Sequence, residues 1–131
     1  MKVYVANAPG KDYDSIVPSG YDSWIDFWNK LRYPKNDRTA GWCRNCKTKT
    51  DDLDGGHVEY CEKGGDGKWS YIKAKGIFIT PLCAECNNPD NTKVFSVDQA
   101  DLVRVPNNTK SRHQSAFEQL GNLKSIVRKS N

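Results

Sequence analysis

Short apolar segments of two periods, separated by turn residues, organise this chain. Lys2 to Ala6 alternates polar and apolar positions and predicts a short strand. Asn7 to Gly20 carries Pro9, Gly10, Pro18 and Gly20 and reads as a loop. From Asp22 to Arg32 the apolar residues Trp24, Phe27, Trp28 and Leu31 recur at helical spacing. Asp22 or Ser23 can cap that helix, and Pro34 prevents its continuation. An aromatic stripe at this spacing reads as core rather than as a base-stacking platform.

Further along, a strand bearing His57, a Gly/Lys-rich loop from Lys63 to Lys68 and a strand over Ile77–Thr80 are expected. Lys93 to Val97 predicts another strand and Leu102 to Val105 a further one. Pro106-Asn107-Asn108 makes a turn. Arg112 to Lys129 predicts a helix with Ala116, Leu120, Leu123 and Val127 on one face and basic residues on the other. Gly121 weakens it by about 1 kcal/mol relative to alanine. The whole is expected to be a single domain over 1–131. Its parts are an N-terminal strand and aromatic helix (1–40), a cysteine-bearing centre (41–91) and a strand with a basic C-terminal helix (92–131).

Five cysteines change this picture. Four form two pairs, Cys43-Arg44-Asn45-Cys46 and Cys83-Ala84-Glu85-Cys86, separated by 36 residues. Each pair lets a tight knuckle present two thiolates to one ion, and two knuckles complete a tetrahedral all-sulfur shell that suits Zn2+. Such a site is closed and structural. The gap exceeds that of a compact zinc ribbon, so an inserted hairpin or long loop is expected. Cys61 is left over and reads as a buried or free thiol rather than a ligand.

The run Cys43-x-x-Cys46, Gly56-His57-Val58 and Pro81-Leu82-Cys83-x-x-Cys86-Asn87 resembles the HNH (His-Me finger) nuclease superfamily. The likeness is to its endonuclease VII-type members, in which two CxxC knuckles brace a ββα-metal hairpin, and it covers roughly residues 41–91. This likeness, together with a helix expected from the residues to begin at Pro81-Leu82-Cys83, gives an α+β fold with a small zinc-stabilised treble-clef or ββα-metal core of HNH-like type and flanking helices. It also implies metal-dependent hydrolysis of DNA phosphodiesters, with His57 as general base and Asn87 as a ligand of a catalytic Mg2+ or other divalent ion. Where that family places a metal-binding Asp or His, this chain has Gly56. On the residues alone, His57 keeps three readings: a structural histidine, a base, or a zinc ligand. Asn87 keeps two, a metal ligand and a helix cap.

Charge enters last. The chain of 131 residues carries a formal charge of +4. The excess sits in residues 110–131, where Lys110, Arg112, Lys124, Arg128 and Lys129 face Glu118 alone. A second basic run surrounds the first knuckle, so Arg38, Arg44, Lys47, Lys49, Lys124 and Arg128 are the candidate phosphate contacts. Nucleic acid, DNA foremost, is the partner this suggests. The other reading is a zinc-stabilised protein-interaction module without catalysis, acting on a protein partner. No apolar run approaches the roughly 20 residues of a membrane helix. No secretory h-region follows Met1, so a cytoplasmic protein with no membrane association is expected.

Overall fold

The computed structural model describes residues 1–9, 16–36 and 38–106. They form a six-stranded antiparallel sheet and one short α-helix. The strands are β1 (Lys2–Asn7), β2 (Leu53–Lys63), β3 (Trp69–Tyr71), β4 (Ile77–Cys83), β5 (Phe95–Asp98) and β6 (Val103–Arg104), and the helix is α1 (Trp24–Arg32). The sheet order is β5-β1-β2-β4-β6, with β3 paired to the far end of β2. Residues from both ends of the described chain, in β1 and β5, thus join the sheet that carries the cysteine-bearing centre.

The central hairpin is β2 with β4, whose register runs from Leu53 opposite Cys83 to Glu59 opposite Ile77. The turn at Lys63–Lys68, rich in glycine as expected, leads instead to β3, where Cys61 pairs with Tyr71 and Lys63 with Trp69. A 3-10 turn at Lys73–Lys75 then feeds β4. On the other side of β2, β1 pairs Val5 with Tyr60 and Asn7 with Val58.

α1 starts where the sequence places it. The Ser23 hydroxyl accepts a hydrogen bond from the Asp26 N–H at 3.1 Å, the usual N-cap arrangement. Trp24, Phe27 and Trp28 are buried against β2 and β4, so the aromatic stripe is core. Val5, Trp28, Cys43, Val58, Ile79 and Leu82 have no exposed surface.

Two adjacent glycines let β2 be approached from both faces, because successive strand residues point to opposite sides. A Cβ on Gly55 would lie 2.6 Å from Trp24 C and Cβ, so α1 crosses here at backbone distance. A Cβ on Gly56 would lie 2.4 Å from Leu82 Cδ1 and 2.9 Å from Asn87 Oδ1. The space of a side chain at 56 is filled by Leu82 and by the turn after β4.

The expected ββα treble-clef core is not what forms. β4 runs through to Cys83, and residues 84–87 make a turn rather than a helix. The physical reason lies in the next residues, Asn87-Asn88-Pro89-Asp90-Asn91. Asn and Asp prefer local side-chain hydrogen bonds and proline lacks a donor, so this stretch folds as linked turns. Asn88 Oδ1 accepts from the Asp90 N–H at 2.9 Å and Asn91 Oδ1 from the Lys93 N–H at 3.3 Å. The C-terminal helix expected over 112–129, with Lys124 and Arg128, lies outside the described residues. Among the described residues no helix is long and apolar enough to cross a membrane.

Candidate metal centre

The four paired cysteines meet. Every sulfur of Cys43, Cys46, Cys83 and Cys86 lies within 4.8 Å of the others. Cys46 Sγ and Cys83 Sγ are 3.8 Å apart. A tetrahedral ion with metal–sulfur bonds of about 2.3 Å requires S···S edges of about 3.8 Å, whereas a disulfide would need about 2.05 Å. All five cysteines are free thiols. The cluster could therefore hold a metal ion such as zinc, and four thiolates would complete its shell.

Each knuckle is built from local hydrogen bonds. In the first, the Cys43 N–H donates to Thr48 O and the Lys47 N–H to Cys43 O, both at 2.9 Å. Lys47 closes it with φ +69°, in the left-handed region that disfavours a side chain. Its ammonium compensates by donating to Arg44 O at 2.9 Å. In the second, the Asn87 N–H donates to Cys83 O at 2.8 Å. The Arg44 N–H donates to Pro81 O at 2.9 Å and ties the first knuckle to β4.

The thiols differ in their surroundings. Hydrogen bonds from the Thr48 hydroxyl and N–H hold the exposed Cys46 down at about 6, so it is largely a thiolate near neutrality. Burial pushes Cys83 and Cys86 up. A cation entering this site would meet a ready anion at Cys46 and displace protons from the half-buried Cys83 and the buried Cys86.

A clamp from β1 holds the second knuckle. The Asn7 carboxamide nitrogen lies 2.9 Å from Cys86 O, 3.2 Å from Asn88 O and 2.7 Å from Asn91 O. The Tyr71 hydroxyl donates to Asn7 O at 2.6 Å. Asn7 is buried, yet no spacing in the sequence marks it, because its partners lie about eighty residues away.

Arg44 points inward. Only 2% of its surface is exposed, and it sits between two indole rings, its guanidinium carbon 3.6 Å from the Trp42 centroid and 5.2 Å from that of Trp28. It donates to Trp42 O at 2.6 Å and Ala40 O at 3.2 Å, and its Nε is 3.2 Å from Asp101 Oδ2. Arg44, expected among the phosphate contacts, is thus committed to the interior. Asp101 was not singled out by sequence. Its carbonyl also accepts from Trp28 Nε1 at 3.0 Å and from the Thr80 hydroxyl at 2.9 Å.

The remaining candidates are dispersed. Lys49 is exposed beside the first knuckle, and Arg38 lies over the Tyr33 ring at 4.6 Å. His57 lies on the Gly55 face of β2, its ring edge-to-face with Trp24 at 5.2 Å. Asn87 lies on the Gly56 face, with Nδ2 3.4 Å from Asp54 Oδ2. Strand alternation therefore separates the two residues that the resemblance would join in one hydrolytic site. Cys61 is buried and lies apart from the four-thiol cluster.

Comparison with protein-family models, with curated proteins and with solved structures gives no match to this chain.

Proposed function

We propose that the four cysteines hold a structural Zn2+ ion and that the sheet it braces binds single-stranded nucleic acid. The zinc reading rests on the tetrahedral sulfur edge between Cys46 and Cys83. The binding reading is carried by one observation, an exposed aromatic pair formed by β1 and β3. The rings of Tyr4 (51% exposed) and Trp69 (40% exposed) stand 5.2 Å apart. Lys63 Nζ lies 6.0 Å from the Trp69 centroid, and Lys2 shares the face of Tyr4 on β1. Exposed rings flanked by ammonium groups suit stacked bases with phosphates alongside. The separation of His57 from Asn87 supports binding without hydrolysis.

The test is titration of zinc-loaded protein with fluorescent single-stranded DNA at two salt concentrations. Binding should weaken with salt, and Tyr4→Ala or Trp69→Ala should weaken it by at least about fivefold, since stacking on a ring contributes about 1–3 kcal/mol per base. No binding at low salt overturns the reading and favours a protein partner for the same rings, because Tyr and Trp are enriched at protein interfaces. A plasmid-cleavage assay with Mg2+ beside His57→Ala checks the absence of hydrolysis.

A further inference from the structure

A second surface, sharing no residue with the Tyr4–Trp69 pair, has the makings of a small-molecule site. It is an open cavity of about 280 Å3 lined by Tyr60, Lys75, Phe78, Gln99, Leu102 and Arg104. That volume falls just below the range of drug-sized ligand pockets, about 300 to 1,000 Å3, and suits a small ligand. Its floor is aromatic, with Tyr60 and Phe78 edge-to-face at 5.1 Å. Each ring carries a cation. Lys75 Nζ lies 5.1 Å from the Tyr60 centroid and Arg104 Cζ 4.8 Å from that of Phe78. Gly76 clears the way for the guanidinium, since a Cβ there would lie 2.6 Å from Arg104 Nη1, and its φ of +88° suits glycine.

Two like charges thus stand over adjacent rings, and no acidic residue lines the cavity. Neither cation forms an ion pair among the described residues. Such a pair calls for an anion, and the guanidinium plane of Arg104 offers a face for a flat ring attached to it. Gln99 adds an amide donor and acceptor at the rim, the complement of a base edge.

We infer that this cavity binds a nucleotide, its phosphate held between Lys75 and Arg104 and its base lying against the guanidinium plane beside Gln99. A guanidinium stacks on planar rings as well as pairing with phosphate, so Arg104 can serve both parts. The ligand can be a free mononucleotide or the phosphorylated end of a strand.

Calorimetric titration of zinc-loaded, full-length protein with AMP, adenosine and inorganic phosphate tests this. AMP should bind saturably, with adenosine and phosphate each at least about tenfold weaker. Lys75→Gln and Arg104→Gln should each weaken AMP binding about tenfold with melting temperatures unchanged, as both side chains are exposed. Absence of AMP binding overturns the inference, as does equal affinity in both variants. Phosphate binding as tightly as AMP also overturns it, reducing the cavity to a simple anion site. Oligonucleotides with and without a 5′-phosphate then separate the sources. Preference for the phosphorylated end supports a strand terminus, and indifference supports a free nucleotide. Failure of the Tyr4 and Trp69 test leaves these results unaffected, because the two surfaces are mutated separately.

Discussion

Asn7 Nδ2 donates to Cys86 O across 79 residues of sequence, at 2.9 Å. A strand at the start of the chain is thereby fastened to the second cysteine knuckle. Asn7→Ala removes the donor for three carbonyls in a buried setting. The expected cost is about 1–3 kcal/mol, the penalty for leaving buried polar groups unpaired. Urea denaturation of zinc-loaded protein would read it as a lower midpoint at unchanged slope. Zinc should also transfer to a chelator faster from this variant than from wild type, because the turn over residues 86–91 loses its brace.

The cluster itself is tested by metal exchange. Co2+ should give the visible d–d and thiolate charge-transfer bands of a tetrahedral four-sulfur site, at one ion per chain. Each of Cys43→Ser, Cys46→Ser, Cys83→Ser and Cys86→Ser should weaken or alter those bands, while Cys61→Ser should leave them intact. Removing the ion should lower the melting temperature, since metal bound only by the folded form adds to its stability.

Gly55 and Gly56 make opposite-facing predictions of the same sign. Gly55→Ala drives a methyl into the backbone of Trp24 and should cost more than about 2 kcal/mol. Gly56→Asp, which restores the ligand type of the resembled nucleases, meets Leu82 and Asn87 instead. It should destabilise the protein and confer no Mg2+-dependent cleavage. Thermal melts beside a plasmid assay check both halves of this statement.

Glu59 is 1% exposed, and its Oε2 has no hydrogen-bond partner. Burial raises its pKa above the usual 4.5, and the nearby Lys73 only partly offsets this. The native state therefore binds this proton more tightly than the unfolded chain. Its contribution to stability is full below about pH 4.5 and is lost as pH rises through the folded value. Glu59→Gln removes that loss. The gap in denaturation midpoint between Glu59→Gln and wild type should widen in the variant's favour as pH increases from about 5 to 8. A gap independent of pH would show that the carboxyl titrates normally.

Asp101 supports Arg44 and, more distantly, Arg32 at 3.9 Å. Asp101→Ala strands the guanidinium of Arg44 between Trp28 and Trp42. The expected cost approaches the roughly 3–5 kcal/mol of breaking a buried pair from one side. Asp101→Asn should recover part of it. Paired denaturation curves of the two variants decide this.

What could be read from sequence was local. The Ser23 cap, the Trp24–Phe27–Trp28 stripe and the period-2 runs each depend on neighbours within one turn or one strand, and α1, β1 and β4 formed where those signals lie. The cysteine quartet was legible because two CxxC knuckles are complementary halves of one shell. The helix expected to begin at the second knuckle did not form, because the Asn-Pro-Asp-Asn run that follows folds as linked turns. Arg44 counted as surface charge because composition cannot distinguish a guanidinium in water from one between indoles. Asn7, Asp101 and Tyr71 left no periodic trace, since each acts through partners far away in the sequence.

Cys83 is both the last residue of β4 and a member of the sulfur cluster, and it stands opposite Leu53 in the β2–β4 register. A slip of one residue in that hairpin would turn every β4 side chain to the other face and carry the Cys83 sulfur away from its three companions. A metal ion held by the four cysteines would therefore tie its site to the native strand alignment. In the native register the four sulfurs close a cluster of tetrahedral size, and a slipped register would leave it open.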